Sequence, residues 1–344
     1  MNNYLAQQPL LSTSKLSGRY ITLETIRSMV TQFEHHTIGK SASGRPIHCI
    51  TLGTGPIKVL LWSQMHGNES TATKGVFDVL TYLNQAPELL AQFSLCVLPM
   101  LNPDGAHAYT RVNANSVDLN RDAINQSQPE TQALLEKYNQ FNPDFCFNLH
   151  DQRTVFGVND DPCMLSFLAP SANESKDLTP ARKKAMGVIG AINTVLQEYI
   201  PNQVGRYDDT YNGNCTGDYF QGQGTPTILF ECGQVGDDYG RVATRKWFGL
   251  SVITALKSIA DDYFNADAYN NIPEVSKTFV DVVIKNVMIK GKQTDIALQY
   301  EEALHQNTIQ FIPKVHTIGD LGKIQGHRTI DFNGKSLDDE TEIT

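Results

Sequence analysis

Apolar runs of strand length alternate with segments of helical period from about residue 20 to residue 264. Short runs rich in branched residues predict strands at 46–52, 57–63, 94–100, 144–149, 163–168 and 226–232. Between them, Leu23, Ile26, Val30 and Phe33 share one helical face, as do Ala72, Val76, Leu80 and Leu83, because positions three and four apart stack on a helix. Gln128-Pro129 and Thr179-Pro180 predict helix starts, since proline at the first helical position gives up an N–H that would have no helical partner anyway. Phe248, Val252, Leu256, Ile259 and Tyr263 predict a long last helix. Strands and helices in alternation give an α/β fold with a mixed, largely parallel central sheet flanked by helices.

The pattern changes after Asp262, where a polar stretch runs to Pro273. Beyond it, 278–290, 310–318 and 327–332 read as strands separated by turns containing glycine. A boundary near residue 272 follows, with a catalytic domain at 1–271 and a small β-rich C-terminal domain at 272–344.

Composition narrows the function classes. Apolar residues make up 40% and charged residues 19%, which is globular rather than disordered. The net charge of −9, with no cluster of Lys and Arg, argues against nucleic acid or anionic membrane as a partner. No run approaches the ~18 apolar residues of a membrane span. The first residues lack the basic start and apolar run of a secretory signal, and the six cysteines are scattered without a C-x-x-C pair. Reduced thiols and a cytoplasmic setting are the expectation. Oligomeric state leaves no signature.

The chemistry concentrates in a few side chains. His66 and Glu69 lie just past the strand at 57–63, and His150 ends the run at 144–149, so all three fall at the carboxyl edge where parallel sheets place ligands. Two imidazoles and one carboxylate are a donor set for catalytic zinc, one ion per chain, with a fourth position left open. Glu231, at the end of the 226–232 run, is a further carboxylate for proton transfer.

The surrounding text resembles the zinc carboxypeptidases related to carboxypeptidase A. The residues that carry the resemblance are His66-Gly-Asn-Glu69, Asn102-Pro-Asp-Gly105, Thr110-Arg-Val-Asn-Ala-Asn115, Val117-Asp-Leu-Asn-Arg121, Asn148-Leu-His150 and Phe230-Glu231, in the family's order. It covers residues 20–264 and leaves the C-terminal tail outside. The resemblance implies a zinc-carboxypeptidase-like fold and a metallocarboxypeptidase acting on a peptide or peptide-like substrate with a free C-terminal carboxylate. It makes His66, Glu69 and His150 the zinc ligands and Glu231 the general base and acid. It further implies that Arg111 polarises the scissile carbonyl, that Asn120 and Arg121 clamp the terminal carboxylate, and that Asp118 orients His66. The family's mobile tyrosine corresponds to Tyr211, with Tyr207 as an open alternative. Asn102-Pro-Asp-Gly105 reads as a turn that shapes the site's edge.

Two departures matter. The run after Arg121 is Asp-Ala-Ile-Asn, unlike many relatives, and the stretch at the base of the pocket is Thr216-Gly217-Asp218, in which glycine offers no specificity and Asp218 can belong to the scaffold. Two other readings stay open: a zinc deacylase that cleaves N-acyl amino acids, as in the succinylglutamate desuccinylase and aspartoacylase group, and a catalytically silent peptide-binding relative.

Overall fold

The central strands are apolar on both faces because both faces are covered. The computed structural model describes residues 2–11 and 16–336, so the end of the expected C-terminal domain, 337–344, lies outside the described residues. The first strands are β1 (Glu34–Lys40), β2 (Pro46–Leu52), β3 (Ile57–Ser63), β4 (Phe93–Leu98) and β5 (Phe145–Asp151). Then come β6 (Phe156–Val158), β7 (Asp161–Pro162), β8 (Leu165–Leu168), β9 (Val204–Arg206), β10 (Thr227–Cys232) and β11 (Ser276–Lys277). Last are β12 (Phe279–Ile289), β13 (Lys292–His305), β14 (Thr308–Ile318) and β15 (Gln325–Asp331).

Eight strands form one sheet in the order β1-β2-β4-β3-β5-β10-β8-β9. Its middle is parallel, through β4, β3, β5 and β10, while β1, β2 and β8 join antiparallel. This is the mixed, largely parallel sheet that the alternation predicts. Alternate residues feed two cores, as the period of two requires. Val59, Leu61, Leu95, Val97, Phe147 and Phe230 face one side, under the helices Thr71–Asn84, Pro180–Leu196 and Val242–Ala260. Leu60, Trp62, Cys96, Leu98 and Cys146 face the other, with Leu134 and Phe220 from the helices Pro129–Phe141 and Thr216–Gly222.

Local signals set the helix ends. Thr22 caps Leu23–Val30 in a reciprocal box with Thr25, and Thr179 caps Pro180–Leu196 through the Arg182 N–H. The last long helix ends at Ala260, short of the expected Tyr263, which is exposed beyond it. Asn102-Pro-Asp-Gly105 starts a short helix, Pro103–Ala108, rather than a plain turn, because the Asn102 side chain accepts the Gly105 N–H and Pro103 takes the first position.

Strands β12 to β15 make a separate four-stranded sheet in the order β14-β13-β12-β15, while β11 pairs with β6 of the preceding part. Strand β13 carries charged residues between apolar ones and buries only Ile296, Ala297 and Leu298 in its middle, so no alternation marked it in the sequence. A polar seam ties this sheet to the rest. Glu302 pairs with Arg19 at 3.5 Å and accepts the Tyr109 hydroxyl. Asp281 accepts the Tyr239 hydroxyl at 2.9 Å, and His327 Nε2 donates to the Thr154 carbonyl at 2.8 Å. No helix among the described residues is long and apolar enough to cross a membrane.

Candidate metal centre and cleft

Strand register brings the chemistry together. In the parallel pair β5·β10, His150 and Glu231 are direct Cα partners, so their side chains leave the same face of the sheet. His66 and Glu69 follow β3, the other neighbour of β5. The chain turns sharply there: Gln64 takes a left-handed φ of 49°, and its side-chain amide holds the turn through the Ile21 and Gly67 carbonyls, each at 2.8 Å. Gly67 is packed on Gly105, and a Cβ there would lie 1.9 Å from the Gly105 backbone. The two glycine-containing motifs are therefore one contact, which explains glycine between His66 and Glu69.

The three donors converge. His66 Nδ1 lies 2.8 Å from Glu69 Oε1, His150 Nδ1 lies 2.8 Å from Glu69 Oε2, and the two Nδ1 atoms are 3.1 Å apart. His66 Nε2 faces Asp118 Oδ1 at 3.0 Å, which puts the His66 proton on Nε2 and leaves the Nδ1 lone pair toward His150. Two imidazole nitrogens held ~2.0–2.1 Å from a tetrahedral zinc would sit ~3.3 Å apart, so the spacing fits that ion. All ligand atoms lie within 4.8 Å of one another.

Charge is finely set around this point. Burial works against ionised Glu69, but His66 and His150 outweigh it and hold the carboxyl well below the usual range. Burial likewise opposes a charge on His66, yet Glu69 and Asp118 carry it upward, while burial prevails at His150 and lowers it. Glu231 is the opposite case: burial first, then the charges of Glu69 and Asp151, push its carboxyl well up. Its Oε2 is closed off from solvent with no partner among the described residues, although Glu231 itself lines the cleft.

Asp118 joins the metal side to the cleft. Besides His66, it accepts Arg111 Nε at 3.0 Å and the Asn120 N–H at 2.9 Å. Arg111 Nη1 also reaches Glu69 Oε1 at 3.4 Å. The Asn120 side chain accepts the Thr216 N–H at 3.0 Å, and Arg121 donates to the Asn120 carbonyl at 2.6 Å and Cys215 Sγ at 3.1 Å. Arg121 has no carboxylate partner among the described residues. His66, Glu69, His150, Arg111, Asn120, Arg121, Tyr211 and Glu231 all line one cleft of about 650 Å³, and Asp118 stands behind it. Tyr211 and its alternative Tyr207 both line the cleft, and Tyr207 also packs edge-on against Phe156, with burial followed by the nearby Glu231 charge raising its phenol. Truncating Asp118 to Ala is expected to weaken zinc affinity or turnover about 10–100-fold, read by zinc titration and initial rates.

Two contributors escaped the sequence reading, and a third, Asp218, reads there only as scaffold at the base of the pocket. Asp151 follows His150, caps the helix Thr71–Asn84 through the Thr71 N–H at 3.0 Å, pairs with Arg19 at 3.2 Å, and donates its own N–H to Glu69 Oε2 at 3.1 Å. Its position after a ligand was the available signal. Asp218 lines the cleft and is not buried scaffold alone, with burial pushing its carboxyl to about 6. Residues of β13 also reach the metal side, from a segment without any motif.

Residues 22–123 match the family model described as zinc carboxypeptidase. Over that segment the chain is similar to the zinc carboxypeptidase family. The segment holds His66, Glu69, Arg111, Asp118, Asn120 and Arg121 of the zinc carboxypeptidase pattern, while His150 and Glu231 lie beyond it. Carboxypeptidase 2 of Trichophyton tonsurans is 33% identical over 100 residues, covering 27% of this chain and 19% of that protein. Carboxypeptidase SOL1 of Arabidopsis thaliana is 26% identical over 166 residues, covering 39% and 34%. The chain thus spans about a fifth to a third of the length of these curated relatives. A metallo-carboxypeptidase from Pseudomonas aeruginosa, solved with (2-guanidinoethylmercapto)succinic acid, superposes with a TM-score of 0.56 at 20% identity over 70% of each chain. Carboxypeptidase A from Helicoverpa armigera gives 0.52 at 17% identity, over 75% of this chain and 81% of that one. At these identities the likeness is one of fold.

Proposed function

We propose that the protein is a zinc metallocarboxypeptidase that removes a C-terminal residue from a peptide or peptide-like substrate. The observation that carries this reading is the placement of Glu231 beside the His66, Glu69 and His150 donors in a cleft that also holds Asn120 and Arg121. His66, Glu69 and His150 would hold one zinc per chain, whose chemistry when bound is Lewis acidity. Arg121 and Asn120 fix the terminal carboxylate, which restricts cutting to the chain end. Arg111 donates toward the carbonyl oxygen as negative charge grows there. Glu231 takes the proton from the attacking water and returns it to the leaving amine. Tyr211, with Tyr207 as the alternative, closes over the terminal residue. A cytoplasmic setting suits the buried free cysteines.

Asp218 gives the wall of this cleft a carboxylate in addition to those at the donor site. Peptides ending in lysine or arginine are therefore the expected preference over those ending in leucine. Asp218→Asn is expected to lower kcat/KM for the basic ends about tenfold, and an unchanged ratio of basic to apolar ends would remove the assignment. The function itself is tested by incubating the purified protein with a peptide panel, with and without a chelator, and reading products by mass spectrometry. Chelator-sensitive loss of single C-terminal residues is expected. Release of acyl groups from N-acyl amino acids alone would overturn the peptidase reading in favour of a deacylase.

A further inference from the structure

The cleft has a second lobe on the far side of the metal donors, and the C-terminal sheet builds its wall. Its cavity is about 320 Å³, at the small end of ligand pockets. Glu69, Arg111, Asp151, Gln152 and Arg153 line both lobes, so the two meet at the metal donors. The clamp residues Asn120 and Arg121 lie only in the first lobe. A chain whose terminal carboxylate is held there and whose last amide lies at the metal must send its preceding residue into the second lobe.

The second lobe has its own chemistry. Tyr239, Tyr300 and Phe311 form an aromatic cluster with centroid separations of 5.3 Å for Tyr239 to Tyr300, 4.8 Å for Tyr239 to Phe311 and 6.3 Å for Tyr300 to Phe311. Its acidic groups are already engaged. Glu302 pairs with Arg19 and accepts from Tyr109, while Asp281 accepts from the Tyr239 hydroxyl, the Tyr300 N–H and Gln299 Nε2. Among these charged and polar groups, the aromatic faces of Tyr239, Tyr300 and Phe311 give the lobe its apolar surface, and two groups remain for a substrate's main chain. Gln299 spends its Nε2 on Asp281 and Thr154, leaving Oε1 shielded from solvent without a partner among the described residues. Arg153, which spans both lobes, has no ion-pair partner among the described residues.

We propose that this lobe binds the residue on the amino side of the scissile amide, with Tyr300 and Phe311 selecting a large apolar or aromatic side chain there. Gln299 Oε1 accepts a substrate N–H, and Arg153 donates to a substrate carbonyl. The lobe's size suits one such side chain with its backbone, which favours short peptides. This inference rests on the carboxypeptidase reading and assigns to the C-terminal sheet half of the enzyme's selectivity.

The test uses the full chain and N-blocked dipeptides with one constant C-terminal residue and glycine, alanine, leucine or phenylalanine before it. The wild type is expected to favour phenylalanine over glycine in kcat/KM by tenfold or more. Tyr300→Ala is expected to cut that ratio about tenfold, equivalent to about 1.4 kcal/mol, and Tyr300→Phe to restore it. Should Tyr300→Ala fail to fold by thermal melting, Phe311→Ala on the neighbouring strand carries the same comparison. A flat preference in an active wild type, or an equal fall for every penultimate residue in the variants, overturns the inference and leaves the carboxypeptidase reading standing. A wild type that releases no C-terminal residue from any peptide overturns both.

Discussion

Glu231→Gln is expected to keep stoichiometric zinc and lose about 10²–10⁴-fold in kcat, because it removes the proton acceptor and spares the three donors. Zinc analysis and initial rates on one preparation check both halves, and loss of zinc would count against the assignment of roles. The same carboxyl sets a pH dependence. Its pKa is raised, first by burial and then by Glu69 and Asp151. Since the ionised form is the base, activity is lost as pH falls, and the acid limb of kcat/KM should lie above the ~4.3 of an ordinary glutamate. A bound dication draws that limb back toward the ordinary value.

Stability follows with its own sign. In metal-free protein the folded state keeps the Glu231 proton to higher pH than the unfolded state does. Folding therefore loses stability as pH rises from the unfolded pKa to the folded one. Glutamine carries no such proton, so the metal-free Glu231→Gln variant is expected to melt higher than metal-free wild type at pH 8, with the gap closing toward pH 4. Equal melting temperatures at pH 8 would show that the carboxyl is not held against ionisation.

His150→Ala is expected to lose both metal and turnover. If His66, Glu69 and His150 hold the ion as proposed, removal of one should cost more than the ~10–100-fold of an outer-shell change. The loss is sharpened by Glu69, whose buried carboxylate is held between His66 and His150 and would keep only one of them. Dialysed variant protein should contain well under one zinc per chain and hydrolyse peptides at background, whereas chelated wild type regains activity when zinc is returned. A variant that loads zinc fully would show that another residue completes the set.

The central sheet was legible because its strands are buried on both faces and read as unbroken apolar runs, as in Val59-Leu-Leu-Trp62, where every residue is buried. Strand β1, Glu-His-His-Thr-Ile-Gly-Lys, was not, because it is a polar edge strand mostly exposed to water. The donors were legible through strand ends, since the topology of parallel sheets sends those ends to one edge. Asp118 was legible only through the resemblance, because its partners, His66 and Arg111, meet it in space. The Arg19–Glu302 pair was beyond reach, as 283 residues separate its members and neither sits in a motif. The same holds for the lobe walled by β13. Nothing in Gln299-Tyr300-Glu301-Glu302 announces proximity to Glu69, and only the polar seam between the sheets places it there.

The partnership of His150 with Glu231 in the β5·β10 ladder has a consequence for how the protein ages and fails. The spacing of these two residues, the proposed ligand and base, is set by the backbone ladder in the middle of an eight-stranded sheet. Core residues such as Phe147 or Phe230 can drift to other apolar shapes over many generations while that spacing stays put. On heating, the activity proposed for this site is expected to depend on that sheet staying intact. Catalysis should persist nearly to the melting point and then vanish with the fold.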